Sequence, residues 1–311
     1  MKTLTGETLD LNDAPARGCD LFLVDGNNLA YRAFYALPPE IATSTGFPTN
    51  ALLGFAGMLM KLVTDYRPRG VAVAWDTRPV KRFEMHEAYK ADRKPMPDVL
   101  RTQFPHFAPM VAAFGYTNLV VEGWEADDVI ATLATRAHEK KVRTCVVSTD
   151  RDAFQLVTDH VCLMMTPRGI REVLVYTPER VRSRYGIGPE QILDFIALMG
   201  DSSDNIPSVP GIGEKTAAQL VAKYGSLEGI LEHAGELSPA KRKTLEENAK
   251  QAYASREIAR LQRDLDIEGD PVALVRGSPD RSQLLAMFEK YEFKNLIARI
   301  PLLDADSPLT Q

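Results

Sequence analysis

The sequence has few cysteines and no long apolar run. These two features argue against a disulfide scaffold or a zinc site and against a membrane helix. Its only cysteines among 311 residues are Cys19, Cys145 and Cys162. None belongs to a CxxC pair, which argues against a disulfide scaffold or a zinc site. No apolar stretch approaches the about 18–20 residues of a membrane helix, and the first residues lack a signal-peptide core. We therefore expect a cytoplasmic protein, with Cys145 and Cys162 in its core.

An excess of positive charge is also absent, since the formal net charge is −5 at pH 7. The total charge therefore gives no signal for nucleic acid, and a basic surface would require the charges to be distributed unevenly. Hydrophobic residues make up 45% and charged residues 25% of the chain, a balance typical of globular proteins. The length is sufficient for one large domain or two modest ones.

Three short apolar runs each end on an aspartate. They are CDLFLVDG (19–26), RGVAVAWD (69–76) and RTCVVSTD (143–150), ending at Asp25, Asp76 and Asp150. Continuous apolar runs are typical of strands buried on both faces of a parallel sheet. Helical patterns lie at about 50–65, 98–114 and 126–140. This alternation predicts an α/β fold with right-handed crossovers, which would bring the three carboxylates to one edge of the sheet.

The second half of the chain is predicted to be mainly helical. Its expected elements are a hairpin over 161–176 with a turn near Arg168-Gly169, and helices over 188–201, 209–231 (two), about 239–262 and about 280–298. We expect four parts: a flexible tail (1–18), a catalytic core (19–186), a helical region (187–300) and a second tail (301–311).

Nine acidic residues stand out by position and spacing. They are Asp25, Asp76, Glu125, Asp127, Asp128, Asp150, Asp152, Asp201 and Asp204. A converged set of this size cannot stay ionised without cations, and oxygen ligands favour magnesium, manganese or calcium. Two such ions would activate water and stabilise the leaving oxygen of a phosphodiester. The alternative for any one of these aspartates is a turn former or a helix cap.

A glycine-containing hairpin is expected in VPGIGEKTAAQLVAKYG (209–225). Gly211 and Gly213 allow close approach of the backbone and leave N–H groups free at the start of the next helix, beside Lys215 and Thr216. Such a hairpin grips a phosphate backbone without reading bases. An ordinary tight turn between helices is the alternative.

The segment 76–101 is basic in an otherwise acidic protein, with seven basic residues against five acidic ones. It directly follows the strand that ends at Asp76, so it would lie over the carboxylate edge. Lys81 and Arg82 in this segment, and Tyr31 and Arg32 after Asp25, are therefore candidate nucleic-acid contacts. A solvated charged helix is the alternative.

Together these motifs resemble the 5′–3′ exonuclease/flap endonuclease family, which includes the 5′-nuclease domains of bacterial DNA polymerase I. The resemblance covers about residues 19–300 and is carried by VDGNNLAYRAFYAL, AWDTRPVKRFEMHEAYKADRK, WEADDVIATLA, STDRDAFQLV and GDSSDNIPSVPGIGEKTAAQLV. It implies a PIN-like core, with a mixed, mainly parallel sheet flanked by helices and a helical arch at about 77–105. It also implies a helix–three-turn–helix, which is similar to a helix–hairpin–helix, in the C-terminal helical region.

The resemblance further implies roles for individual residues. Asp25, Asp76, Glu125, Asp127 and Asp128 match the first metal site, and Asp150, Asp152, Asp201 and Asp204 match the second. Lys90 and Arg93 match arch cations that approach the scissile phosphate. The implied cofactors are Mg²⁺ or Mn²⁺, with K⁺ a candidate at the glycine hairpin.

The implied activity is cleavage of DNA at 5′ flaps, nicks, gaps and 5′ ends, with RNA–DNA primers as further candidates, during replication and repair. A polymerase domain or partner, a monomeric state and a place at the bacterial nucleoid are also expected. Three alternatives remain: an inactive DNA-binding module, a PIN-type ribonuclease, and a phosphatase with Asp25 as its nucleophile. The hairpin at 209–231 argues against the ribonuclease, because such domains usually lack it.

Overall fold

The computed structural model describes residues 2–167 and 172–304, and its centre is a mixed, mainly parallel sheet. The described strands are β1 (Leu21–Asp25), β2 (Gly70–Trp75), β3 (Thr117–Val120), β4 (Thr144–Val147), β5 (Val161–Met165) and β6 (Leu174–Tyr176). Their order is β3-β2-β1-β4-β5-β6, and only the β5–β6 pair is antiparallel. The predicted sheet class is therefore confirmed.

The burial of the strands explains why most of them could be recognised. Every residue of β1, β2 and β4 is buried, as their continuous apolar runs predict. Strand β3 was not predicted, because it is short, begins with the polar pair Thr117-Asn118 and has no fully buried residue. The hairpin over 161–176 is confirmed by the β5–β6 pairing, while its predicted turn at Arg168-Gly169 lies outside the described residues.

Helices cover both faces of the sheet and form the C-terminal half. They are α1 (Gly26–Ala36), α2 (Asn50–Lys61), α3 (Val80–Met85), α4 (Asp98–Gln103), α5 (Phe107–Ala113), α6 (Ala126–Glu139), α7 (Pro178–Tyr185), α8 (Ile192–Met199), α9 (Glu214–Tyr224), α10 (Leu227–Glu232), α11 (Pro239–Ala259), α12 (Arg281–Lys290) and α13 (Lys294–Ile297). Side chains alternate across β1, so Leu23 packs with α6 and the C-terminal helices, whereas Phe22 packs with α2, α5 and α12.

Two predicted helices are interrupted. The helix expected over 98–114 is divided into α4 and α5 by a 3₁₀ turn at Phe104–His106, where Pro105 lacks the N–H that a continuous helix needs. The helix expected over 280–298 is divided into α12 and α13 near Glu292, whose φ is 61°. A residue in this left-handed region does not continue an α-helix.

Part of the predicted N-terminal tail packs against the sheet. Leu11 and Ala16 are buried, and the Val175 N–H of β6 donates to the Leu11 carbonyl at 2.9 Å. The description of residues 1–18 as a loose tail is therefore wrong for this stretch, because its apolar residues are too sparse to form a recognisable pattern yet still fill gaps in the core. The predicted second tail, 301–311, is described only as far as residue 304.

Candidate metal and nucleic-acid site

The carboxyl ends of β1, β2 and β4 open into a cleft of about 450 Å³. Four of the predicted acidic residues line it: Asp25, Asp76, Asp127 and Asp150. Four basic side chains lie on its other walls: Arg32, Lys90, Arg93 and Lys94. The parallel register of the strands therefore brings together acids that are far apart in the sequence, as predicted.

Asp25 and Asp76 occupy equivalent positions at the ends of neighbouring strands. Asp25 ends β1 and caps α1, where its Oδ1 accepts the Asn28 N–H at 2.9 Å. Its burial and the neighbouring charge of Asp76 raise the pKa of Asp25 to about 8. Asp76 follows β2, and its Oδ1 accepts the N–H of Ala126, the first residue of α6, at 2.9 Å. Both carboxylates thus fix the start of a helix as well as facing the cleft.

The acids at the start of α6 point in different directions. Asp127 lines the cleft, and its burial, together with the charges of Asp25 and Asp150, raises its pKa well above the usual range. Asp128 instead lies behind the cleft, where it pairs with Arg82 and accepts the Gln262 N–H at 3.0 Å. This divergence follows from the rotation of about 100° between successive residues of an α-helix.

A second acidic group lies beside the first. Asp150, Asp152 and Asp201 each present a carboxylate oxygen, and these atoms lie within 4.8 Å of one another. Asp152 Oδ1 is buried and, within the described part of the chain, accepts no hydrogen bond. An unpaired buried carboxylate oxygen is costly unless a cation neutralises it. The oxygen-only donor set therefore suits a hard divalent cation.

The remaining predicted acids face basic side chains. Glu125 Oε1 lies 2.5 Å from Lys90 Nζ, and Asp204 Oδ1 lies 2.8 Å from Arg93 Nη2. These ion pairs bring the predicted arch cations to the cleft. They also place Glu125 and Asp204 between the arch segment and the acids that line the cleft.

Arg82 occupies a different place from the one predicted. Its side chain is buried, with Nε 2.8 Å from Glu125 Oε2 and Nη2 2.7 Å from Asp128 Oδ1. Nη1 donates to the Ile258 carbonyl of α11. The prediction of an Arg82–DNA contact is therefore wrong in this structure, because the guanidinium is turned inward to neutralise two carboxylates. The neighbouring Lys81 is exposed and pairs with Glu84 at 3.5 Å.

Two aromatic rings lie on the cleft side of α1. Tyr31 lines the cleft, as does Tyr35, which is 72% exposed. Their ring centroids are 6.5 Å apart with nearly parallel planes. Tyr35 was not singled out from the sequence, although its four-residue spacing from Tyr31 places both on one helix face. Arg32 is held by two hydrogen bonds to Thr149 Oγ1, at 3.0 and 2.9 Å.

Beyond the first cleft, a second one of about 910 Å³ runs along the loop between α8 and α9. It shares Asn28, Arg32, Arg93 and Asp150 with the first cleft, and its lining includes Ser208, which directly precedes the glycine-hairpin segment in the sequence. The two clefts therefore form one continuous groove from the acidic group to the residues just before the hairpin.

The hairpin itself has the predicted open backbone. Gly211 has a φ of 74°, and Gly213 caps the start of α9. Apart from the chain neighbours of each glycine, no described residue lies within 4 Å of a Cβ placed at either position. Ile212 is buried and anchors the turn, whereas Lys215 is exposed and Thr216 is half-buried. The N-terminus of α9 is thus accessible to a phosphate, next to a lysine.

No helix in residues 2–167 and 172–304 combines the length and the apolar character that a membrane span requires.

Comparisons with known proteins agree with this architecture. The chain is 42% identical over 282 residues to DNA polymerase I of Bacillus subtilis (strain 168), covering 90% of this chain and 32% of that protein. For DNA polymerase I of Mycobacterium tuberculosis (strain ATCC 25618 / H37Rv), identity is 41% over 282 residues, covering 90% and 31%. The chain therefore spans about a third of the length of these relatives.

Two solved structures share the fold. T5 5′-exonuclease with bound zinc ions matches with a TM-score of 0.63 and 20% identity, covering 90% of this chain and 98% of the other. The catalytic core of Rad2 in complex with DNA matches with a TM-score of 0.64 and 15% identity, covering 95% of each chain. At these identities the likeness establishes the fold.

Family models divide the chain into two parts. Residues 20–186 match the 5′-3′ exonuclease N-terminal resolvase-like domain, and residues 187–282 match the 5′-3′ exonuclease C-terminal SAM fold. The chain belongs to the 5′–3′ exonuclease family.

Proposed function

We propose that the protein is a metal-dependent 5′ nuclease, acting as a 5′–3′ exonuclease and flap endonuclease on 5′-flapped, nicked or gapped DNA. The observation that carries this proposal is the continuous groove, which joins a converged set of carboxylates and cations to residues beside an open glycine hairpin. Family membership and the metal-bound state of T5 5′-exonuclease support it.

Two groups of carboxylates would hold two divalent ions. Asp25, Asp76 and Asp127 form the first group, and Asp150, Asp152 and Asp201 form the second. When bound, such ions supply Lewis acidity at the phosphodiester and lower the pKa of water. The buried, unpaired Asp152 Oδ1 and the raised pKa of Asp25 both indicate donors arranged for a cation.

The chain's own cations would bind the scissile phosphate. Lys90 and Arg93 line the cleft beside Asp76 and Asp127. A phosphate there would receive charged hydrogen bonds that strengthen as negative charge builds on the phosphorus oxygens. The tyrosine rings of α1, which also line the cleft, offer faces on which an unpaired base would stack.

The hairpin would hold duplex DNA through its backbone. Glycine N–H groups and the start of α9 favour an anion, and Lys215 adds a charge. This contact is independent of base sequence, which suits an enzyme that recognises branches. The same proposal includes a K⁺ ion at the hairpin and RNA–DNA primers as further substrates. It also includes a polymerase domain or partner, a monomeric state and a place at the nucleoid.

A 5′-labelled flap duplex tests the proposal. We would incubate it with the purified chain in Mg²⁺, in Mn²⁺ and in chelator, beside an all-RNA duplex of the same shape. Release of a short 5′ DNA fragment that requires metal is the expected result, and the fragment length locates the cut. Tight binding without cleavage in either metal would instead identify a binding module, and cleavage of RNA alone would identify a ribonuclease.

A further inference from the structure

Two of the nine predicted metal-site acids form ion pairs with side chains of the arch segment (77–105). Asp204 Oδ1 lies 2.8 Å from Arg93 Nη2, and Asp204 Oδ2 lies 3.6 Å from Lys90 Nζ. Glu125 Oε1 lies 2.5 Å from Lys90 Nζ, and Glu125 Oε2 lies 2.8 Å from Arg82 Nε. Both carboxylates are buried, so these cations satisfy most of their bonding capacity.

Tyr89 joins the two carboxylates. Its hydroxyl lies 2.9 Å from Glu125 Oε2 and 3.0 Å from Asp204 Oδ2, and its ring lies 4.8 Å from Lys90 Nζ. Burial between two acids raises the pKa of Tyr89 far above its ordinary value, so the hydroxyl keeps its proton. Glu125, Tyr89 and Asp204 therefore form one hydrogen-bonded bridge beneath the arch cations.

The backbone reinforces the same contact. The Lys90 N–H donates to the Asp204 carbonyl at 3.1 Å, and Lys90 has a φ of 55°. Asn205 Nδ2 donates to the Ala88 carbonyl at 2.9 Å, and His86 Nε2 lies 3.2 Å from the Asn205 carbonyl. Residues 86–93 are thus docked on the loop that contains Asp204.

Asp201, three residues before Asp204, faces the acidic group instead of the arch cations. One of its carboxylate oxygens lies within 4.8 Å of an oxygen of Asp150 and of Asp152. Its Oδ1 accepts hydrogen bonds from the Ser203 N–H and hydroxyl of the same loop, at 2.7 and 2.6 Å. The loop therefore presents one acid to the metal group and another to the arch.

From this division of contacts we propose that Asp204 is a positioning residue for Lys90 and Arg93 and does not ligate a metal ion. The inference rests on the proposed nuclease function. Asp204 and Glu125 neutralise the arch cations and hold them beside the acids that line the cleft. An entering phosphate then replaces part of this pairing, because it presents anionic oxygens to the same two side chains.

The test compares Asp204→Asn with Asp201→Asn by Mn²⁺ binding to the full chain, measured by calorimetry and electron paramagnetic resonance. Asp201→Asn is expected to lower the affinity for at least one Mn²⁺ ion by more than tenfold. Asp204→Asn is expected to lower the Mn²⁺ affinity by less than threefold. Amide hydrogen exchange of residues 86–93 should accelerate in Asp204→Asn and not in Asp201→Asn. Loss of a bound Mn²⁺ in Asp204→Asn would overturn the proposal, as would unchanged exchange.

Single-turnover cleavage adds a readout that a merely structural role would not change. Asp204→Asn and Lys90→Ala should each slow cleavage more than tenfold, with DNA affinity in Ca²⁺ changed less than threefold. The double variant should be no slower than the slower single variant, because both remove the same interaction. Independent, multiplying effects would refute the coupling of Asp204 to Lys90.

Matched variants complete the design. Asp204→Glu keeps the charge and should restore the slow exchange of residues 86–93. Asp194→Asn is the control, since Asp194 is a largely buried acid that pairs with Arg256 at 2.9 Å outside the groove. If the wild-type chain binds Mn²⁺ but cleaves no DNA, the proposed function fails, while metal binding and exchange still decide the role of Asp204.

Discussion

Arg82 Nη2 lies 2.7 Å from Asp128 Oδ1, and both side chains are more than nine-tenths buried. The pair joins the start of the basic segment to the first turn of α6. Since Arg82 also contacts Glu125 and the Ile258 carbonyl, it links the start of α6 to the last turn of α11. The positive charge at Arg82 is therefore explained by internal neutralisation of the buried acids Glu125 and Asp128.

Arg82→Met should destabilise the fold. Removing one partner of a buried ion pair leaves an uncompensated charge and costs about 3–5 kcal/mol. The unfolding free energy from urea titration measures this loss. Lys81→Met is the matched control, because Lys81 is exposed and its pair with Glu84 is worth less than about 1 kcal/mol. Equal stabilities of the two variants would contradict the internal role of Arg82.

Asp76→Asn should abolish cleavage without unfolding the protein. An asparagine Oδ1 can still accept the Ala126 N–H, so the start of α6 is kept while the negative charge is lost. Asp76→Ala removes the hydrogen bond as well and should cost about 1 kcal/mol more in unfolding free energy. Cleavage assays and urea unfolding of both variants separate the two roles, and an active Asp76→Asn would remove Asp76 from the proposed metal site.

The glycine hairpin offers a matched pair of substitutions. Gly211→Ala places a side chain at a φ of 74° and should cost about 1 kcal/mol or more. Gly213→Ala introduces no such strain, since its φ is −90°. Urea unfolding should therefore distinguish two variants with the same added methyl group. Equal unfolding free energies would contradict a left-handed backbone at Gly211.

DNA binding should depend steeply on salt through Lys215. Each phosphate contact releases counterions, so Lys215→Ala should lower the slope of log K against log salt by about 1. Affinity for a flapped duplex in Ca²⁺, measured from 50 to 300 mM KCl, gives the slope. Lys243→Ala is the control: Lys243 is exposed on α11 and lies 3.8 Å from Glu247. A slope unchanged by Lys215→Ala would remove that residue from the phosphate contact.

The centre of the fold could be predicted because three of its strands, β1, β2 and β4, lie in continuous apolar runs that end on aspartates. Strand β3 could not, since Thr117 and Asn118 interrupt the apolar pattern on which such a prediction depends. The interruption at Glu292 was also missed, because a positive φ at a non-glycine residue leaves no mark in the hydrophobic periodicity. Turns and helix breaks of this kind are decided by tertiary contacts.

Part of the acidic lining of the cleft could be predicted from the sequence, but the orientation of the side chains could not. Motif spacing identifies the acids, and parallel strands bring Asp25, Asp76 and Asp150 to one edge. Spacing does not show that Asp128 faces Arg82, or that Asp204 faces Arg93, because those contacts join segments 46 and 111 residues apart. The sequence lists the charged residues of the site, but the pairs Asp128–Arg82 and Asp204–Arg93 are visible only in the folded structure.

The metal-free protein should lose stability as the pH rises from about 4 to about 8. The pKa of Asp25 is about 8 in the folded chain against an ordinary aspartate value of 3.8, so the folded state holds a proton that the unfolded state releases in this window. Divalent ions compete with that proton, and Mg²⁺ should therefore raise the urea midpoint more at pH 8.5 than at pH 5.5. Asp25→Asn, which cannot ionise, should show a smaller pH dependence in chelator. A Mg²⁺ effect of equal size at both pH values would contradict proton–metal competition at Asp25.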